Sequence, residues 1–208
     1  MRTHVYVDGY NLYYGCLKKT PYKWLDIHRL CQQLMPRNEI RAVKYFTAQV
    51  SGPPHDPGQP ARQQTYFRAL RTVPQVSIHL GHFLTHAVTM PDAEAWNAGR
   101  FTPRRVVKTE EKGSDVNIAT HLLVDAFDNA FDVAVIISND SDLKEPISVV
   151  RDRFAKTIGI LNPHKNASRA LQPLAHFMKP IRANALRNAQ FPDDMCDATG
   201  AFHKPRGW

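Results

Sequence analysis

Two carboxylates sit in a short polar turn that closes an apolar run. Val133-Ala134-Val135-Ile136-Ile137 leads directly into Ser138-Asn139-Asp140-Ser141-Asp142. The N-terminus repeats the arrangement, with His4-Val5-Tyr6-Val7 followed by Asp8-Gly9-Tyr10-Asn11, and a further acid, Asp115, follows Gly113-Ser114. Carboxylates brought to one rim without a cation repel each other and take up protons more readily. Mg²⁺ or Mn²⁺ removes that penalty, because such hard cations prefer carboxylate oxygens, keep several waters and complete their shell with phosphate oxygens. A cation held this way activates water and neutralises charge on phosphorus. Each acid also has a local explanation. Asp8-Gly9 reads as a turn, Asp115 as a first-turn helix acid, and Asp142-x-x-Glu145 as a capping box. Four acids, all at strand exits or a helix start, point instead to a shared site. Asn11 and Ser138 have the polar groups to bond a carboxylate or phosphate, with local turn bonding as the alternative.

The elements that must position these acids follow from periodicity. A five-residue apolar run before a polar turn is a strand covered on both faces, as in a parallel sheet, and ligands of such sheets bind beyond the carboxyl ends of the strands. Strands are expected at residues 4–7, 41–48, 76–80, 132–138 and 157–161. Apolar spacing predicts helices over 24–35, 63–70, 114–129, 142–154 and 166–177, with Ser114 as the N-cap of the third and Val116, Ala119, Leu122, Leu123 and Ala126 as its apolar stripe. The Pro/Gly-rich stretch 51–60 is loop. Within the irregular segment Gly81–Lys112, Phe83–Thr85 and Arg105–Lys108 form two arms of an inserted hairpin around a loop through Met90–Pro103. Alternating strands and helices give an α/β fold, a three-layer α/β/α arrangement with a mainly parallel sheet. Pattern alone does not fix the strand order, for which a flavodoxin-like order is one candidate. Residues 1–178 form the domain, and 179–208, with weak periodicity, a C-terminal appendage or tail.

The totals narrow the partners. The chain has 208 residues, a formal net charge of +8 and three scattered cysteines, with no C-x-x-C pair. The cysteines read as reduced thiols. Apolar runs are too short to span a bilayer and no secretory pattern opens the chain, so a soluble, cytoplasmic protein is expected. Excess positive charge attracts polyanions while the acids need a cation to sit beside one, and nucleic acid satisfies both. Arg100, Arg104, Arg105, Lys108 and Lys112 precede the helix-start acid and suit a phosphate-contacting arm. Tyr10, Tyr13, Tyr14, Tyr22 and Trp24 lie near the first acid, where stacking on bases competes with ordinary packing.

Val7-Asp8-Gly9-Tyr10-Asn11-Leu12, Lys112-Gly113-Ser114-Asp115-Val116 and Ile137-Ser138-Asn139-Asp140-Ser141-Asp142 resemble, in order and spacing, the NYN domain of the PIN-like nuclease superfamily. Glu110-Glu111-Lys112 and the run Asn117–Leu123 are also similar, and the resemblance extends over roughly residues 3–178. It implies a parallel sheet flanked by helices, Mg²⁺ or Mn²⁺ bound by a clustered acidic site, and RNA cleavage. Carried over by motif, Asp8, Asp115 and Asp140 form the metal-binding core and Asp142 a fourth catalytic acid. Asn11, Ser138 and Lys112 orient ligands or substrate, and Arg104, Arg105, Lys108 and Lys112 bind RNA, single-stranded or looped. A homodimer stays open. The chain departs from the family pattern at His121, where many relatives carry Asp, and at Asn139 and Ser141, where many carry Gly. The first departure leaves the fourth acid and a second metal open.

Other signals point elsewhere or nowhere. His79-x-x-His82-x-x-x-His86 does not make a zinc site, since on a strand the first two face opposite ways and no Cys or acid completes the set. His121 lies about 9 Å along a helix from Asp115, too far round for shared ligation, and Asp125 shares its face. A metal-dependent endoribonuclease is the leading expectation. A non-catalytic domain that binds RNA or a protein partner, and a metal-dependent phosphatase, are the alternatives.

Overall fold

A computed structural model describes all of residues 1–208. The elements are β1 (Arg2–Asp8), α1 (Gly9–Leu12, continued by a wide π-turn at Tyr13–Leu17), α2 (Ile27–Leu34), β2 (Glu39–Ala48), α3 (Gln59–Arg71), β3 (Val76–Pro91), α4 (Ala93–Asn97), β4 (Pro103–Lys112), α5 (Ser114–Phe127), β5 (Val133–Ile137), α6 (Lys144–Arg153), β6 (Thr157–Asn162), β7 (Phe177–Pro180), α7 (Ala183–Asn188), β8 (Asp194–Asp197) and β9 (Gly200–His203). Seven strands form one sheet in the order β4-β3-β2-β1-β5-β6-β7, parallel throughout except for the β3–β4 pair. The order runs outward from β1 in both directions, as in a flavodoxin-like sheet, but three strands rather than one lie on the β2 side. The chain therefore reverses between β1 and β5, and a crevice opens where their carboxyl ends diverge.

The two-residue period of each strand divides the core into two layers. Val5 and Val7 of β1 and Val133, Val135 and Ile137 of β5 pack with Ile27 and Leu30 of α2 and Phe67 and Leu70 of α3. Tyr6 of β1 and Ala134 and Ile136 of β5 face the other way, onto Ile118 and Leu122 of α5 and Ile147 and Val150 of α6. Every residue of β5 is buried, as a strand covered on both faces requires.

Several local expectations change. Gly113, at φ +100°, occupies the N-cap of α5 without a side-chain bond, and Ser114 is the first helical residue. The buried face of α5 is Ile118, Leu122 and Ala126, while Val116 is 69% exposed. Leu123 of the expected stripe packs partly buried against the same layer, and α5 rests on α6 as well as on the sheet. The α2 helix begins at Ile27, capped by the Asp26 carboxylate, which accepts from Arg29 N–H. Trp24 and Leu25 precede it in the core. Residues 166–177 do not form a helix. Pro173 interrupts them, only Gln172–Leu174 makes a 3₁₀ turn, and Phe177 opens β7. The inserted hairpin is longer and more regular than its sequence suggests, with β3 and β4 paired from His82–Lys112 to Pro91–Pro103.

Residues beyond β7 return to the body of the molecule. Ile181, Leu186, Ala189, Phe191 and Phe202 join the layer over α2, and the Trp24 indole N–H donates to the Pro192 carbonyl at 2.7 Å. Aromatic side chains spaced irregularly in loops carry this packing, so no helical or strand period announces it.

Candidate active site

The β1–β5 register sets the site. Val7 pairs with Ile137, so Asp8 and Ser138 leave the sheet side by side. Both continue the parity of Tyr6 and Ile136 and so point to the face covered by α5, whose first turn carries Asp115. The Asp8 side chain is held at every acceptor. Asn11 N–H donates to Oδ1 at 2.9 Å, the Asn11 amide donates to Oδ2 at 2.7 Å, and the Ser138 hydroxyl donates to Oδ2 at 3.0 Å. Only 3% of Asp8 is exposed. Burial pushes its pKa upward, these bonds work against the shift, and the charge of Asp140 adds to it.

The turn after β5 is tied to the same group. Asp140 N–H donates to Ser138 Oγ at 3.0 Å, and Asp140 Oδ1 accepts from Asp142 N–H at 3.0 Å. Asp140, and not Asp142, is therefore the cap of the 3₁₀ turn Ser141–Leu143 that leads into α6. Asn11 is a hub. Its Oδ1 accepts from Asn139 N–H at 3.2 Å and lies 3.2 Å from His164 Nε2, so β1, β5 and β6 are joined at one end of the sheet. His164 escapes sequence reading because no motif surrounds it.

Asp115 stands across from this group with its carboxylate unbonded. Its pKa is pushed up to about 6, first by burial and then by the charges of Asp8, Asp140, Glu111 and Asp142. Glu111 is a fifth acid to which sequence reading gave no role. Its carboxylate accepts from Ser114 N–H at 3.2 Å and Ser114 Oγ at 2.8 Å, fixing the start of α5. Gly81 makes room for it, since a Cβ there would lie 2.5 Å from both Glu111 Oε1 and Lys112 O. A Glu three residues before a helix-opening Ser is the signal that could have marked it.

No Lys, Arg or His forms an ion pair with Asp8, Glu111, Asp115, Asp140 or Asp142. Five oxygen-donor acids without a counter-charge are the donor chemistry of a hard divalent cation. The side chains do not form a finished cage, as no three His, Cys, Asp or Glu groups stand close enough to hold one ion. Asp8 is locked by its bonds, whereas the Asp115 and Asp142 carboxylates make no hydrogen bond within the chain.

The basic residues divide. Lys112 Nζ lies 3.5 Å from Glu110, Lys108 pairs with Glu110 at 2.7 Å, and Arg104 pairs with Asp92 at 2.7 Å, so none of the three touches the acids. Arg100 and Arg105, exposed on the same hairpin, have no acidic partner.

His121 belongs to a second polar group lower on the same face. Lys44 Nζ lies 2.6 Å from Asp125 Oδ2 and 3.4 Å from His121 Nδ1. The Tyr6 hydroxyl donates to Asp125 at 2.6 Å and His4 Nδ1 lies 3.3 Å away. His79 packs its ring on His121, centroids 4.2 Å apart, and burial with the neighbouring charges lowers its pKa to about 4.

Residues 2–181 match the NYN domain family, and the chain belongs to that family. The 6-hydroxy-3-succinoylpyridine 3-monooxygenase HspA of Pseudomonas putida (strain DSM 28022 / S16) is 33% identical over 92% of this chain and 70% of its own length. The crystal structure of a protein of unknown function from Vibrio parahaemolyticus RIMD 2210633 superposes with a TM-score of 0.59 at 19% identity, covering 88% of this chain and 94% of that one. That likeness establishes the fold. The family and the seven-stranded, mainly parallel sheet together define a nuclease-like α/β domain. No helix is long and apolar enough to cross a membrane.

Proposed function

We propose that the protein is a metal-dependent endoribonuclease acting at the rim formed by Asp8, Asp115 and Asp140. The observation that carries this reading is the setting of Asp115, half-buried among the charges of Asp8, Asp140, Glu111 and Asp142 and left without any basic partner. A protein that spends stability on uncompensated carboxylates at a sheet crevice gains from a cation there. Mg²⁺ or Mn²⁺ would supply charge neutralisation on the phosphate and an activated water.

The chain's own residues do the rest. Asp8, immobilised by Asn11 and Ser138, offers a fixed anchor point. Asp140 stands beside it on a capped turn, and Asp115 faces both from α5, with Asp142 and Glu111 adding negative charge. Arg100 and Arg105 on the β3–β4 hairpin hold backbone phosphates without reading sequence. In-line attack by water on the phosphodiester leaves a 5′-phosphate and a 3′-hydroxyl.

The test is incubation of labelled RNA with purified protein and Mn²⁺, comparing wild type with Asp8→Asn and Asp140→Asn. Cleavage that vanishes in both variants supports the reading, and undiminished cleavage in both rejects it. RNA retention without cleavage and insensitive to chelator would identify a non-catalytic RNA-binding domain. Hydrolysis of phosphomonoesters alone would identify a phosphatase.

A second reading rests on the 33% identity to a pyridine monooxygenase over 92% of the chain. Oxygenation of a heteroaromatic acid at this fold would need O₂ and a reductant. Oxygen uptake dependent on 6-hydroxy-3-succinoylpyridine and an added two-electron reductant would favour it over RNA cleavage.

A further inference from the structure

On the opposite face of the sheet from the acids, a cavity of about 290 Å³ opens above the carboxyl end of β2. Tyr10, Tyr13, Tyr45, Tyr66, Phe67 and Trp208 line it. Tyr45 and Tyr66 meet edge to face, and Trp208 leans on Tyr66 with centroids 5.6 Å apart. The Tyr66 hydroxyl is spent on the Leu25 carbonyl, at 2.8 Å, so the ring presents its apolar body to the cavity. Tyr10 and Tyr13 differ. Burial raises both phenols above the ordinary tyrosine range, and neither hydroxyl makes a hydrogen bond within the chain.

The rim is cationic. Lys23, Arg62 and Arg206 border the cavity against a single carboxylate, Asp56, which pairs with Arg62. Lys23 Nζ touches only the Gly207 carbonyl, at 3.3 Å, and Arg206 has no acidic partner. Gly9, the residue after Asp8, forms part of the wall. A Cβ on it would stand 2.7 Å from the Phe46 carbonyl and 2.8 Å from the Tyr45 hydroxyl, so the backbone beside the acid packs directly on the cavity's aromatic side.

We infer that this cavity is a binding site for a planar heteroaromatic ring carrying an anionic group. Aromatic walls stack a flat π-system and hold a saturated ligand of the same size less tightly. The two free phenols supply hydrogen bonds to ring heteroatoms. The unpaired cations at the mouth take the anion. The volume lies at the lower end for small-molecule sites, enough for one ring system and its substituent. Two sources share this chemistry: the base and phosphate of a nucleotide unit, or a free heteroaromatic acid. The site stands whichever reaction the acids perform, and its test omits metal, so its failure leaves the acidic rim untouched.

Calorimetric titrations of the full chain in EDTA, with adenosine 5′-monophosphate, ribose 5-phosphate and nicotinate as probes, decide the matter. The site predicts that adenosine 5′-monophosphate or nicotinate binds at least about tenfold more tightly than ribose 5-phosphate. Preference for the first assigns the nucleotide source and preference for nicotinate the free acid. Tyr13→Ala and the double variant Lys23→Ala/Arg206→Ala each weaken the preferred probe about tenfold. Both variants change residues outside the strands, and far-ultraviolet circular dichroism checks their folding. Ribose 5-phosphate binding as tightly as the ring-bearing probes, or binding unchanged in both variants, overturns the inference. So does the failure of both ring-bearing probes to bind.

Discussion

Asp115 and Asp125 lie on the same helix, over the same face of the same sheet, and their environments are opposite. Asp115 at the start of α5 is half-buried, faces Asp8, Asp140, Glu111 and Asp142 and has no cation beside it, so burial first and then these charges raise its pKa to about 6. Asp125 near the end of α5 receives Lys44, the Tyr6 hydroxyl and His4, and these bonds hold its carboxyl far below the usual range. The strand below repeats the contrast: Asp8 serves the first group, and His4 and Tyr6 the second. The lower group is complete within the chain. The upper group has no counter-charge within the chain, which is the difference the proposed cation would remove.

The largest way to break the comparison is Asp8→Asn. It keeps the shape of the side chain and removes the anchored charge. Metal-dependent RNA cleavage is expected to fall on the order of 1,000-fold, measured as single-turnover rates, while urea unfolding shows a retained fold weakened by about 1 kcal/mol, because the new amide NH₂ meets donors where the carboxylate accepted. Asp125→Ala should do the reverse. Its partner Lys44 has only 16% of its side chain exposed, so the substitution leaves a nearly buried ammonium unpaired. A loss of about 3 kcal/mol in stability is expected by urea denaturation, with cleavage per folded molecule retained.

A smaller effect sharpens the contrast through pH. Asp115 binds its proton more tightly when folded, so its contribution to stability is fully present below the ordinary carboxylate value and is lost as pH rises through about 6. Asp125 has the opposite sign, and its contribution is present at neutral pH and lost only in strong acid. Asp115→Asn in EDTA should therefore raise stability above about pH 7 by about 1 kcal/mol, discounted for a half-exposed group, and flatten the decline between about pH 4 and pH 7. Thermal unfolding across that range checks it. The smallest effect concerns the hairpin. Arg105→Ala should raise KM for RNA a few-fold, roughly 3-fold at low ionic strength, and reduce the salt dependence of binding, with kcat unchanged.

Asp8, Asp115 and Asp140 of the upper group were legible in the sequence because each follows a marker that survives without tertiary context. A continuous apolar run ending in Ser138-Asn139-Asp140 is a buried strand and its exit, and Gly113-Ser114-Asp115 is a helix start. The lower group was not legible, because Lys44 and Asp125 are 81 positions apart and each looks like ordinary surface charge. His121 and Asp125 on one helical face were the only hint. Glu111 was hidden for a similar reason: its role depends on the close approach at Gly81, on the neighbouring strand. The segment 166–177 misled because Leu171 and Leu174 have helical spacing, while Pro173 between them stops the ladder. The packing of residues 181–208 depends on single aromatic contacts, such as Phe202 against Trp24, which leave no period to read.

The central claim is that the upper acids form one cation site. Titration of Mn²⁺ into the wild-type protein, followed by the electron paramagnetic resonance signal of free Mn²⁺, tests it most directly. Wild type and Asp125→Asn are expected to bind Mn²⁺ with equal affinity, and Asp8→Asn and Asp140→Asn at least about tenfold more weakly. Equal affinity across all four proteins would contradict the account.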